Sequence, residues 1–447
     1  MTSTLTSDVN ASATGGTTPA PTGNRATLSP GLKQATPVVV DHATGSWIHG
    51  TDGKSYLDFT TGIGVTSTGH CHPRVVAAAQ EQCGKIIHAQ YTTVMHQPLL
   101  ELTEKLGEVL PTGLDSIFYA NSGSEAVEAS IRLARMATGR PNIVVFQGGF
   151  HGRTVAAASL TTAGTRFSAG FSPLMSGVHM APFPYAYRYG FDEDTAVEFA
   201  LRELDYLFAS RVAPNDTAAM LIEPVLGDGG YLPAPPAFLA GLRERADKHG
   251  IILIADEVQA GFGRTGKFWS HQHTVGLVPD IIITAKGLAS GFPISAIAAP
   301  TELMAKAWPG SQGGTYGGNA VAAAAGVATL AVIHEENLVE NARLRGEQML
   351  AGLQKIAAKF PQIGDVRGLG LMAGIEFIDP TATSSAPVAD AASAAKVQQA
   401  CIGEGLLTLT CGPLANVIRL IPALVVTEDE MTTGLSRFDA ALSSVLG

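Results

Sequence analysis

Charge is what this sequence has least of: Asp, Glu, Lys and Arg make up only 15% of its 447 residues, and 29 basic against 39 acidic residues leave a formal charge of −10. An acidic chain repels phosphate backbones over most of its surface, so no nucleic-acid partner is expected. Cysteine is scarce too. The four, Cys71, Cys83, Cys401 and Cys411, include no C-x-x-C pair, which leaves no disulfide framework to read and favours a reducing, cytoplasmic compartment. Long apolar runs are missing. The most apolar stretch, Ala320–Ile333, has 14 residues, against the roughly 20 that span a bilayer, and reads as a buried helix with no membrane partner. Residues 1–24, nearly all small or polar, show neither the basic start nor the apolar core of a secretory signal and read as a disordered tail. No G-x-S-x-G elbow occurs. His70-Cys71-His72 has no further ligand at metal spacing, so a turn is expected there and no metal.

What is abundant is apolar residue, 46%, and glycine, 50 in all. That suits a large α/β enzyme that hides further surface between subunits. From Pro37, short apolar runs broken at Ala43-Thr44-Gly45 and Asp52-Gly53 predict an antiparallel meander. The middle alternates between strands (142–146, 218–222, 251–255 and 280–284) and helices such as the one stopped by Gly250, the βαβ pattern of a mostly parallel sheet. A long helical stretch over 335–360, the run GDVRGLGLMAGIEF, a helix over 391–404 and two short strands, LLTLT and NVIRLI, follow as an α+β ending. The expected division is a tail at 1–24, an N-terminal segment at 25–70 joining a smaller domain, a large domain at 71–334 and the C-terminal smaller domain at 335–447.

In such sheets ligands bind beyond the carboxyl ends of the strands. Asp256 and Lys286 each stand just past an apolar strand. An ordinary salt bridge is the plainer reading. The chemical one is a lysine that forms an imine and an acid that keeps a heterocyclic nitrogen protonated, the pair that pyridoxal phosphate needs. Strand alternation puts Asp256 and Val258 on one face and Glu257 on the other, and spacing does not say which acid serves. NSGSEAVEASIRLAR, from Asn121, reads as a helix start that seats a phosphate, or simply as a capping box of Ser122 with Glu125. Gly261–Lys267 fits G-x-x-x-x-G-K, but Phe268 stands where a P-loop needs Ser or Thr. A nucleotide-binding module is therefore a remote alternative. GLGLMAG precedes an apolar run and does not join a strand to a helix, so it is read as structural.

The strings TGIGVTSTGHCHPRVV, NSGSEAVEASIRLAR, GGFHGRT, IEPVLGDGGY, IADEVQAGFGRTG, AKGLASGFPISA and TYGGN stand in the order found in class III aminotransferases. The chain resembles that family across most of its length. Within the class, APFPYAYRYGF and the Arg of GGFHGRT are most similar to 4-aminobutyrate aminotransferases. The resemblance implies the fold-type I architecture: a large α/β domain with a mostly parallel sheet flanked by helices, plus a smaller α+β domain. It implies pyridoxal 5'-phosphate as cofactor. Lys286 would form the imine and move the proton, and Asp256, not Glu257, would pair with the ring nitrogen. Val258 and Phe150 would sandwich the ring, with His151 also at the cofactor and Gln259 on its phenolic oxygen. Gly123 and Ser124 would bind the phosphate, together with Thr315 from a neighbouring subunit, so at least a homodimer is implied. Arg153 would grip a distal carboxylate and Arg419 an α-carboxylate, with Ile63 on the substrate side and Glu223 a nearby acid. The implied reaction moves an amino group from an ω-amino acid or amine to a 2-oxo acid, with 2-oxoglutarate the expected acceptor. Racemases, epimerases and amino-alcohol-phosphate phospho-lyases of the same family share these motifs and stay as alternatives. Three positions depart from the pattern. EPVQGEGG is EPVLGDGG, with Leu226 for Gln and Asp228 for the Glu that covers the α-carboxylate arginine; Ala320 replaces Pro; Ser290 replaces a common Gly.

Overall fold

The computed structural model describes residues 27–384 and 386–447; the tail read at residues 1–24 lies outside them. Its centre is a seven-stranded sheet. From edge to edge the strands are Ser116–Ala120, Ser295–Ala299, Ile281–Thr284, Ile252–Asp256, Thr217–Ile222, Asn142–Phe146 and Val178–Ala181. Ser295–Ala299 is antiparallel to both of its neighbours, and the other pairs run parallel. The strands are continuous apolar runs because both faces are covered. On one face Ile143, Val145, Leu221, Ile254 and Ile283 pack with Val127 and Ile131 of the helix Gly123–Thr138. On the other, Val144, Phe146, Met220 and Leu253 meet Leu204 of Glu193–Ser210 and Phe238 and Leu242 of Pro236–His249. Every loop that leaves a parallel strand's carboxyl end therefore opens at one rim of the sheet.

Two smaller sheets lie beyond it. The meander Val40–Thr44, Trp47–Gly50 and Ser55–Asp58 gains a fourth, parallel strand from Leu406–Leu407. Ile363–Leu369, Met372–Phe377, Val417–Leu420 and Leu409–Cys411 form an antiparallel sheet, so GLGLMAG, read only as structural, is the turn of a hairpin. The apolar stretch at 320–333 is a helix, Ala320–Glu335, packed with Pro73–Cys83 and Gln97–Gly107. The helix expected over 335–360 is shorter. Asn337 adopts a left-handed φ of 52°, which ends one helix and starts Leu338–Ala357. No described helix is long and apolar enough to cross a membrane. All four cysteines are free.

Candidate active site

A cavity of about 280 Å³ sits at that rim, and nine of the sequence-selected residues line it: Gly123, Ser124, Phe150, His151, Glu223, Asp256, Val258, Gln259 and Lys286. Asp256 ends its strand only 4% exposed, its Oδ2 2.8 Å from His151 Nδ1, while its Oδ1 accepts from Val258 N. Glu257 points the other way and is fully committed. It accepts from the Ser270 amide and hydroxyl and from the His271 amide, with His271 Nδ1 at 2.8 Å. Burial pulls the Glu257 carboxyl up, but His271 and Ser270 outweigh it and hold it below its ordinary value. Alternation along the strand left the choice of acid open. The hydrogen bonds give Glu257 a structural task and leave Asp256 at the cavity wall.

Lys286 follows Ile281–Thr284 with a φ of 39°, a conformation that costs a non-glycine residue about 1–3 kcal/mol and that concentrates at functional sites. Burial pushes its ammonium down to about 8, Glu223 pulls the other way, and Arg419 adds to the lowering. The side chain thus carries a larger neutral fraction than a free lysine. Glu223 accepts from the Phe150 and Gly227 amides at 2.7 and 2.9 Å, and burial pushes its carboxyl well above the usual range, against His151. Ser290 holds a φ of 45° where the family often has Gly, and its Oγ accepts from Thr68 N at 3.0 Å with Thr68 Oγ1 at 2.7 Å, which offsets the strain.

The helix Gly123–Thr138 starts at the cavity, and both readings of its start hold at once. Ser122 and Glu125 form the capping box. Gly123 and Ser124, first in the helix, line the cavity, and their amides have no carbonyl partner within the helix. A Cβ on Gly123 would stand 3.2 Å from Val258 Cγ1, so glycine keeps that wall open. Gln259 Oε1 is buried without a hydrogen-bond partner. A basic amine, a paired carboxylate, an apolar slot between Phe150 and Val258 and a helix start for a phosphate together fit pyridoxal phosphate.

The remaining five candidates lie off the cavity wall. Arg419, on the strand Val417–Leu420, is 5% exposed, yet its Nε and Nη1 have no hydrogen-bond partner. Asp228 Oδ1 is 3.4 Å from that Nη1. Arg153 is exposed, its guanidinium 4.8 Å above the Phe167 ring. Ile63 and Thr315 are exposed, and neither lines the cavity. Arg166, which sequence reasoning passed over, joins this group: its Nη2 donates to Asp228 Oδ2 at 2.5 Å. Its only sequence signal is an isolated basic residue in GTRFSAG.

The P-loop alternative finds no support in the fold. Gly261–Lys267 leads into a short 3₁₀ turn, Ser270–His273, and no helix start follows to receive phosphate. Arg264 is buried there, donating through Nη1 to the Leu371 and Pro422 carbonyls.

A family model described as aminotransferase class-III matches residues 29–442. The chain belongs to the class III aminotransferases. The cofactor of this aminotransferase is pyridoxal 5'-phosphate, and its architecture is fold-type I. It is 38% identical to a 5-aminovalerate aminotransferase of Pseudomonas putida, over 93% of this chain and 96% of that protein. It is 38% identical to a 4-aminobutyrate aminotransferase of Escherichia coli, over 91% of this chain and 93% of that one. An amine transaminase from an uncultivated Pseudomonas species, solved in a PLP-bound form, superposes with a TM-score of 0.86 at 28% identity, covering 95% and 99% of the two chains.

Proposed function

We propose that this aminotransferase takes the amino group of an ω-amino carboxylate, of the 4-aminobutyrate or 5-aminovalerate type, and delivers it to 2-oxoglutarate in the cytoplasm. The observation that carries the reading is the buried Arg419 guanidinium with donors to spare, a receptor for an α-carboxylate that the amino donor itself lacks. The relatives named for 4-aminobutyrate and 5-aminovalerate support the donor class.

Bound in the cavity, pyridoxal phosphate would supply an electron sink that acidifies the proton on the substrate's amine-bearing carbon. The chain's residues do the rest. Lys286 Nζ takes and returns that proton, its lowered basicity matching the task. Asp256, braced by His151, would pair with the ring nitrogen; Phe150 and Val258 would hold the ring, Gln259 its phenolic oxygen, and the Gly123 and Ser124 amides the phosphate. Arg153 receives the donor's distal carboxylate and Arg419 the α-carboxylate of the acceptor, with Ile63 on the substrate side. Thr315, exposed on a single chain, completes the phosphate seat of a second copy, so the working unit is at least a homodimer.

A panel of amine donors assayed with and without 2-oxoglutarate tests the reading. Transamination requires the acceptor for repeated turnover. Turnover without it makes the enzyme a racemase, epimerase or phospho-lyase. Sedimentation of the active holoenzyme should show a dimer or larger; an active monomer removes Thr315 from the site.

A further inference from the structure

Asp228 lies between two guanidiniums and belongs to one of them. Its Oδ2 accepts a 2.5 Å hydrogen bond from Arg166 Nη2, whereas its Oδ1 stands 3.4 Å from Arg419 Nη1 and makes no hydrogen bond there. Arg166 is itself held from three sides. Its Nη1 donates to the Gly412 carbonyl at 3.2 Å, its guanidinium lies 4.5 Å above the Phe167 ring, and the Gly412 amide donates back to the Asp228 carbonyl at 2.7 Å. Phe167 in turn packs edge-on against Phe150 at the cavity wall, with ring centres 4.9 Å apart.

A buried guanidinium with unpaired donors draws in any carboxylate within reach. Asp228 is within reach and has not closed. We propose that Arg166 is a positioning residue that holds Asp228 off Arg419, so that Arg419 stays free for the α-carboxylate of a 2-oxo or 2-amino acid. The proposal rests on the role assigned to Arg419 above. At 3.4 Å the Asp228 carboxylate still balances the buried charge of Arg419 when a donor without an α-carboxylate occupies the site. When a 2-oxo acid arrives, no hydrogen bond between Asp228 and Arg419 has to be broken first, because the Asp228 hydrogen bond is already made to Arg166. The chain's Asp at this position, shorter than the family's Glu, suits a carboxylate that is to be kept back.

The test uses holoenzyme and glutarate, a dicarboxylate that binds without reacting, followed by calorimetry, beside single-turnover kinetics with 2-oxoglutarate. Arg166→Gln lets Asp228 settle on Arg419, so the Kd for glutarate and the KM of the 2-oxoglutarate half-reaction should rise about tenfold, with its kcat within about twofold. Arg166→Lys should recover most of the affinity. In an Asp228→Asn background, Arg166→Gln should change glutarate binding by less than about twofold, since no carboxylate is left to hold back. Asp228→Glu, which leaves Arg166 intact but lengthens the acid, should weaken glutarate in the same direction and keeps the idea testable if Arg166→Gln does not fold. Unchanged glutarate affinity in both Arg166→Gln and Asp228→Glu overturns the proposal. So does a loss of equal size in the Asp228→Asn background, which would make Arg166 a direct ligand. Arg419→Ala separates the two levels: if it leaves glutarate binding intact, the role of Arg419 itself is wrong, whatever Arg166 does.

Discussion

The two ends of the site are built on different terms. At the Lys286 end the acids are answered from within the chain: Asp256 by His151 and the Val258 amide, Glu223 by two amides, Glu257 by Ser270 and His271. At the Arg419 end one carboxylate stands between two guanidiniums, and buried donors are left over. The first end meets the same cofactor in every cycle and can be prebuilt at strand ends, where packing fixes each rotamer. On the proposed function the second must accept two substrates in turn, with carboxylates in different places, and a fully satisfied arginine could not do so. Unpaired donors, which would mark a defect in a core, are what the receptor role proposed for Arg419 requires.

The comparison breaks first at Lys286. Lys286→Ala should cut turnover by about 10³-fold or more, while the cofactor remains bound through its phosphate and ring contacts, as absorbance of the dialysed variant would record. A variant with near-normal rates would mean that the prebuilt end does not carry the chemistry. The second break is at the other end. Arg419→Ala should lower kcat/KM for 2-oxoglutarate by about 10²- to 10³-fold, the cost of losing a desolvated charge pair, and spare the half-reaction of an amine without an α-carboxylate. Arg153→Ala should do the converse with 4-aminobutyrate. If both variants lose both half-reactions equally in single-turnover absorbance, the ends do not divide the labour. The smallest effect concerns pH. With the Lys286 ammonium pushed from 10.5 down to about 8, its reaction in apoenzyme with an amine-selective acylating reagent should be half-maximal near 8 and disappear in Lys286→Ala. The linkage has the same sign. Between about 8 and 10.5 the unfolded chain holds a proton that the folded one has released, so this residue's contribution to apoenzyme stability rises with pH across that window. Denaturant titrations in which Lys286→Ala and the parent share one pH slope there would contradict it.

How much of each end could be read in the chain follows from how each is made. Lys286 and Asp256 stand past continuous apolar strands, so their placement at the ligand-binding rim was legible from pattern alone, as was the Ser122–Glu125 box. The choice of Asp256 over Glu257 came from the family likeness and not from pattern, since the partners that engage Glu257, Ser270 and His271, lie outside the strand. Arg153 and Arg419 came from the family likeness, since neither sits in a periodic pattern that predicts a receptor. Arg166 had only the weak signal of an isolated basic residue. A lone arginine between Thr165 and Phe167 becomes informative only when folding brings Asp228, 62 positions on, into contact. The break at Asn337 escaped for a related reason: Asn takes the left-handed turn without the Gly or Pro that would have announced it.

The pairing of Leu406–Leu407 with Leu57–Asp58 has a consequence for how the protein comes into being. The meander at residues 40–58 is an incomplete sheet until Leu406–Leu407 has been made, and the Ser46 hydroxyl and Trp47 indole also wait for Glu430, their acceptor at 3.0 and 2.8 Å. A ribosome-bound chain therefore carries an open strand edge, able to pair with other chains, until Leu406–Leu407 emerges. Limited proteolysis of stalled nascent chains should find the Trp47 region cleavable until residue 430 has cleared the exit tunnel and protected soon after. Early protection would mean that the first sheet closes without its last strand.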